Sequence, residues 1–148
     1  MIEKKKQKVL ISGPIKSNFI ADSIEKHSKK TNIGAHDIFL GQVRADVIEN
    51  KIVQAIEYSA YEEMAEDTFY EIREAMFKKY DLICMHIYHS LGKIKVGEIC
   101  LFVFVSAKHR KDAFDACSEI VEQIKINVPV FGKEVFEDES FVWKKNTI

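Results

Sequence analysis

From Glu98 to Ala107 the chain is an almost continuous apolar run, Glu-Ile-Cys-Leu-Phe-Val-Phe-Val-Ser-Ala. Such a run is typical of a central strand buried in a sheet, and the rest of the chain must be organised around it. Helical and strand periodicities alternate on either side. Tyr61, Met64, Ala65, Phe69, Ile72, Ala75 and Met76 recur at helical spacing, predicting a long amphipathic helix over residues 60–80. A second helix is expected from Asp112 to Asn127, with Ala113, Cys117, Ile120, Val121 and Ile124 on its apolar side; Pro129 ends it. Ser17–Lys29 reads as a shorter helix whose apolar face is Phe19, Ile20 and Ile24.

Strands are expected at Val9–Ile11 (stopped by Gly13-Pro14), Gly34–Val43, Ile52–Tyr61 and Leu82–Tyr88. Gly92 and Gly97 should bracket a turn, and Val130–Val142 should be extended. No repeat or Pro/Ser-rich linker divides residues 1–148, so the chain reads as one domain. Short, hairpin-like spacings favour an α+β fold with a mixed or antiparallel sheet over a doubly wound one.

A net charge of −1 gives the whole chain no pull towards nucleic acid or anionic membrane, so anion binding has to come from a local cluster. The N-terminal basic run is followed by an apolar stretch too short for a secretory signal and interrupted by Pro14, and no membrane-length apolar run follows. With three widely spaced cysteines, Cys84, Cys100 and Cys117, and no CxxC pair, the expected compartment is reducing and cytoplasmic.

Three places carry possible chemistry. Lys108-His109-Arg110-Lys111 falls where the buried strand meets a helix start, whose free N–H groups and dipole favour an anion. Arg110 would add a bidentate fork, although a solvated charge run reads the same way. Lys125 lies at the edge of its helix's apolar stripe. There it is either a lysine of depressed pKa, fit to act as base or nucleophile, or one snorkelling along the edge. Arg44, after Gly41-Gln42-Val43, closes a strand where a ligand can approach the backbone, or is ordinary surface. Cys84 and His86 would share a strand face, but His89 would not, and no further ligand follows; no metal site is expected. His27 and His36 stand alone. No Ser-His-Asp order, glycine-rich phosphate loop or RNA-type interleaving is present.

Several segments in register resemble the molybdopterin synthase large-subunit family. They are Gly34-Ala35 through Phe39-Leu40-Gly41-Gln42-Val43-Arg44, Ile56-Glu57-Tyr58-Ser59-Ala60-Tyr61 with Met64-Ala65, and His89-Ser90-Leu91-Gly92 with Gly97-Glu98. Ser106-Ala107-Lys108-His109-Arg110-Lys111-Asp112-Ala113-Phe114 and Lys125 with Val128-Pro129-Val130-Phe131 complete the set. The resemblance implies an α/β-hammerhead type of fold with two main helices. It also implies conversion of cyclic pyranopterin monophosphate to molybdopterin by transfer of two dithiolene sulfurs. The sulfur would come from the C-terminal thiocarboxylate of a small ubiquitin-like subunit, with no permanently bound cofactor, in a heterotetramer built on a homodimer of large subunits.

By the same resemblance Lys125 is the catalytic lysine, and Gln42, Val43, Arg44, His109 and Arg110 belong to the substrate pocket. The chain departs from the family after the second helix. Where Pro-Ile-Trp-Lys-Lys-Glu is common, it reads Pro129-Val130-Phe131-Gly132-Lys133-Glu134, so Gly132 stands at the position of a second active-site lysine. Lys133 is the expected substitute, with Gly132 and Glu134 beside it in the pocket. The other readings are an adaptor that kept the fold and lost catalysis, favoured by Gly132, and a generic phosphate-ester or nucleotide transferase using only His109 and Arg110. Arg44, Arg110 and Lys125 together favour the synthase.

Overall fold

The structure, a computed structural model, describes residues 7–145; the lysines of the N-terminal basic run, Lys4 to Lys6, lie outside them. Its elements run β1 (Leu10–Ser12), α1 (Ser17–His27), β2 (Ala35–Gln42), β3 (Val47–Ile48), β4 (Lys51–Ala60) and α2 (Glu62–Lys79). They continue as β5 (Leu82–Lys95), β6 (Ile99–Ala107), α3 (Arg110–Asn127), β7 (Val130–Phe136) and β8 (Phe141–Trp143). One sheet carries them in the order β2-β6-β5-β4-β7-β8, with β1 parallel to β5 and β3 paired to β4. Apart from β1 the pairings are antiparallel. The α+β expectation therefore holds, with α2 and α3 as the two main helices.

The run of β6 is apolar because both of its faces are covered. Leu101, Val103 and Val105 join Phe69, Ile72 and Met76 of α2 and Cys117, Ile120 and Ile124 of α3 in the main core. Phe102 and Phe104 point the other way, into a smaller cluster with Ile15 and Ile20 beneath α1. Alternation along a strand puts the two sets on opposite faces, so a half-polar strand here would leave one helix layer without a partner.

Three local readings need correction. Gly92 does not open a turn: it lies inside β5 at φ +89°, where the strand leaves β6 and begins to pair with β4. Only a residue tolerant of positive φ bends the strand there without strain. The reversal itself is Lys95–Glu98, with Gly97 at φ +88° and Glu98 Oε1 accepting the Lys95 N–H at 2.7 Å. The β3–β4 hairpin was not legible, because its central residues are Glu49 and Asn50, both at positive φ, and glutamate rarely marks such a turn. The expected apolar face of α1 holds in part, since Ile20 packs on the smaller cluster and Phe19 meets Tyr88 edge-on at 4.8 Å, but it is not the buried face throughout. Phe19 is 37% and Ile24 41% exposed, and the buried residue of the helix is His27.

A lysine cleft at the end of the third helix

Lys125 lies in the last turn of α3, just before Pro129 turns the chain into β7. A cavity of ≈ 500 Å³ opens there, lined among others by Tyr58, His89, Lys125, Pro129, Gly132 and Lys144. Lys125 is solvent-accessible by surface area. Burial nonetheless lowers its pKa, and the nearby Lys144 and Arg44 charges lower it further. His89 is buried and donates its Nδ1–H to the Ser90 carbonyl at 2.8 Å, which leaves Nε2 with the lone pair. Burial holds its pKa down at about 4, and Lys125 pushes in the same direction, so the ring is neutral. The Tyr58 ring meets the His89 ring edge-on at 5.1 Å, and its hydroxyl donates to Cys100 Sγ at 3.4 Å. Burial, then Cys100 and Glu134, raise the Tyr58 pKa, so the phenol stays protonated.

The expected substitute lysine is not in this cleft. Lys133 lies on the opposite face of β7, with Nζ 4.5 Å from the Phe141 ring centre and 5.1 Å from that of Trp143. β7 passes through Gly132 as regular strand, paired with Tyr58 on one side, so nothing turns Lys133 back. The cation that reaches the cleft is Lys144. Its backbone N–H donates to the Gly132 carbonyl at 2.8 Å, making it the cross-strand neighbour of position 132. Its Cβ would be 3.7 Å from a Cβ built on Gly132, so its side chain starts on the face that a residue-132 side chain would use. Sequence reasoning missed Lys144 because the pairing of β8 with β7 is not written in local spacing. Tyr58 and His89 enter the sequence reading only as strand residues, a discarded metal ligand and pieces of the family resemblance, with no role in this cleft.

The remaining candidates fall in three places. Gly132 lines the cleft, and Glu134, 8% exposed on the same face of β7, lies close enough to act on Tyr58. Arg44 is 74% exposed, ion-paired to Asp46 at 3.3 Å, and near enough to act on Lys125; Gln42 is exposed and Val43 fully buried. His109 and Arg110 are not brought to the cleft. His109 is the N-cap and Arg110 the first residue of α3, both exposed, whereas Lys125 is in its last turn. At 1.5 Å per residue the two ends of that helix are roughly 22 Å apart. A single chain therefore holds two separate cationic sites, one at each end of α3.

Fold and site together define an α+β protein with a cationic cleft suited to an anionic ligand. Residues 14–127 match the family model described as MoaE protein, and the chain belongs to that family. A molybdopterin synthase catalytic subunit from Pyrococcus abyssi is 39% identical over 111 residues, covering 75% of this chain and 74% of that protein. One from Drosophila willistoni is 40% identical over 115 residues, covering 76% of this chain but only 31% of that longer protein. Among solved structures, molybdopterin synthase from Staphylococcus aureus superposes with a TM-score of 0.80 at 29% identity, over 97% of this chain and 100% of that one. The complex of subunits 1 and 2 of molybdopterin-converting factor from Helicobacter pylori shares the fold, with a TM-score of 0.78 at 20% identity over 93% and 89% of the two chains.

Proposed function

We infer that this chain is the catalytic subunit of a molybdopterin synthase, a sulfurtransferase that takes sulfur from a thiocarboxylated small subunit and installs it on cyclic pyranopterin monophosphate. The observation that carries the reading is the lysine cleft. Lys125 and Lys144 line one cavity of ≈ 500 Å³ together with Tyr58 and His89, and the Lys144 charge acts on Lys125. Two ammonium groups in one cavity suit a ligand or peptide tail that ends in an anion.

In this reading Lys125 faces the thiocarboxylate carbon. Its ammonium polarises the carbonyl and stabilises the oxyanion that forms when that carbon is attacked. Burial and its cationic neighbours lower its pKa below the ordinary lysine value, which favours proton transfer by the amine. Lys144 supplies the second positive charge. Each sulfur transfer leaves a carboxylate on the carrier, with the oxygen coming from water. The pterin phosphate is seated by Arg44 and by His109 and Arg110. Because the last two stand at the far end of α3, a second copy of the chain provides them, which agrees with a homodimer at the centre of a heterotetramer.

The test is incubation of the purified chain with cyclic pyranopterin monophosphate and thiocarboxylated small subunit, with detection of the dithiolene product. Product from the parent and none from a folded Lys125→Ala variant is expected. Equal product from both would overturn the assignment of Lys125.

A further inference from the structure

A second cluster lies on the other side of the sheet, beneath α1. Cys84 and His86, two residues apart on β5, point to the α1 face together with Tyr88, while Met85 and Ile87 enter the main core. His27, the buried residue of α1, meets them there, with its Nε2 3.0 Å from His86 Nε2. The ligating atoms of His27, Cys84 and His86 all lie within 4.8 Å of one another. None of the three takes part in the lysine cleft.

We propose that His27, Cys84 and His86 form a binding site for one borderline-soft divalent cation of the Zn²⁺ type, with a fourth position open to water. The donor set is two imidazoles and a thiol, the chemistry that selects zinc over oxygen-seeking Mg²⁺ or Ca²⁺. Two imidazole nitrogens on one tetrahedral zinc, each ~2.0–2.1 Å from it, are about 3.3 Å apart; the 3.0 Å found here is a few tenths short of that.

The outer contacts are those a ligated histidine uses. His27 Nδ1 is 2.7 Å from the Ser23 carbonyl, which can only accept, so Nδ1 carries the hydrogen and Nε2 presents its lone pair to the cluster. His86 Nδ1 is 3.1 Å from the side-chain amide of Gln7, which also contacts the Tyr88 hydroxyl at 3.1 Å. With its oxygen turned inward, that amide accepts both hydrogens and leaves His86 Nε2 free for a metal. Lys30 Nζ, 2.8 Å from Cys84 Sγ, is placed to donate an N–H to a metal-bound sulfur. A zinc-bound sulfur and nitrogen stand about 3.6 Å apart, so closure shortens the widest separation allowed here, 4.8 Å, by about 1 Å. A metal here would tie α1, otherwise thinly buried, to the central strands.

The full-length chain, stripped with a chelator and titrated with Zn²⁺ by calorimetry, should bind one equivalent, and Mg²⁺ should not bind. Co²⁺ in place of Zn²⁺ should give four-coordinate d–d bands and a thiolate-to-metal charge-transfer band. Cys84→Ser should remove the charge-transfer band. His27→Gln and His86→Gln should each weaken Zn²⁺ at least tenfold, and His109→Gln should leave it unchanged. Without any substitution, Zn²⁺ should slow alkylation of Cys84 while leaving Cys100 and Cys117 as they were. Absence of stoichiometric Zn²⁺ binding, a charge-transfer band that survives Cys84→Ser, or Cys84 alkylation unaffected by Zn²⁺ would each overturn the site.

Discussion

Replacing Gly132 with alanine isolates the steric cost of placing any side chain at that position. A Cβ built on Gly132 would stand 2.9 Å from Ile56 Cγ2 and 3.4 Å from a Tyr58 ring carbon. Ile56 is 3% exposed, and its Cγ2 branches directly from Cβ, so it has little freedom to retreat. Overpacking of this kind costs about 1–3 kcal/mol. Loss of glycine's freedom in the unfolded chain returns about 0.4–1 kcal/mol, leaving a net destabilisation of roughly 0.5–2 kcal/mol. Urea unfolding should show a lower midpoint for Gly132→Ala at unchanged slope. Ile56→Leu conserves volume but removes the β-branch, so alanine at 132 should cost less in that background, giving a favourable coupling in the double-mutant cycle. If Gly132→Ala unfolds at or above the parent's urea midpoint, position 132 has room for a side chain, and the steric account of its glycine is wrong.

Four further outcomes are expected. Lys144→Ala should cut turnover tenfold or more (~1.4 kcal/mol of transition-state stabilisation), whereas Lys133→Ala should stay within twofold of the parent; the reverse pattern would return the second cation to Lys133. Lys144→Gln removes a charge that lowers the Lys125 pKa, so if Lys125 works as a cation, the alkaline fall in activity should move to higher pH; a pH profile with the same limb as the parent refutes that coupling. Arg110→Ala should weaken substrate binding by about 1.5–3 kcal/mol without changing stability, and mixing it with Lys125→Ala should restore part of the activity through hybrid dimers. No recovery on mixing would place both residues in one chain's site. The fourth concerns stability in acid. His89 is held neutral in the fold, with its pKa at about 4 against an ordinary 6.5, while the unfolded chain takes up that proton as soon as pH falls below 6.5. Stability is therefore present above pH 6.5 and lost as pH falls to about 4, by on the order of 3 kcal/mol. Unfolding free energies that do not drop across this window, or that drop equally in His89→Gln, would count against it.

What the sequence disclosed follows from where the information sits. β6, α2 and α3 were legible because their burial is periodic along the chain: Leu101, Val103 and Val105 alternate with Phe102 and Phe104, and Ile72 and Met76 fall on one helical face. Lys125 was legible as a residue at the edge of such a face. The features that went astray are set by contacts between segments far apart. His27 stands alone in the sequence because its partners, Cys84 and His86, lie on β5, and only the packing of α1 on the sheet unites them.

Position 132 shows the same limit at the candidate site. Along an extended chain residue 133 is the nearest lysine to the gap, but alternation puts it on the wrong face, and the structure holds it against Phe141 and Trp143. Across the sheet, register makes Lys144 the neighbour of Gly132 even though the turn after β7 separates them in sequence. A side chain lost at one strand position is therefore most readily replaced from the facing position of the adjacent strand, where Cβ atoms are ~4.5–5.5 Å apart and share a face. The Lys144 Cβ lies 3.7 Å from the point where a Cβ on residue 132 would stand, so the two side chains would be in ordinary van der Waals contact. A lysine at 132 would crowd Ile56, whose Cγ2 stands 2.9 Å from that Cβ, and would set a second ammonium beside Lys144. On this reasoning positions 132 and 144 are coupled, and Gly132→Lys should cost less stability alongside Lys144→Ala than on its own.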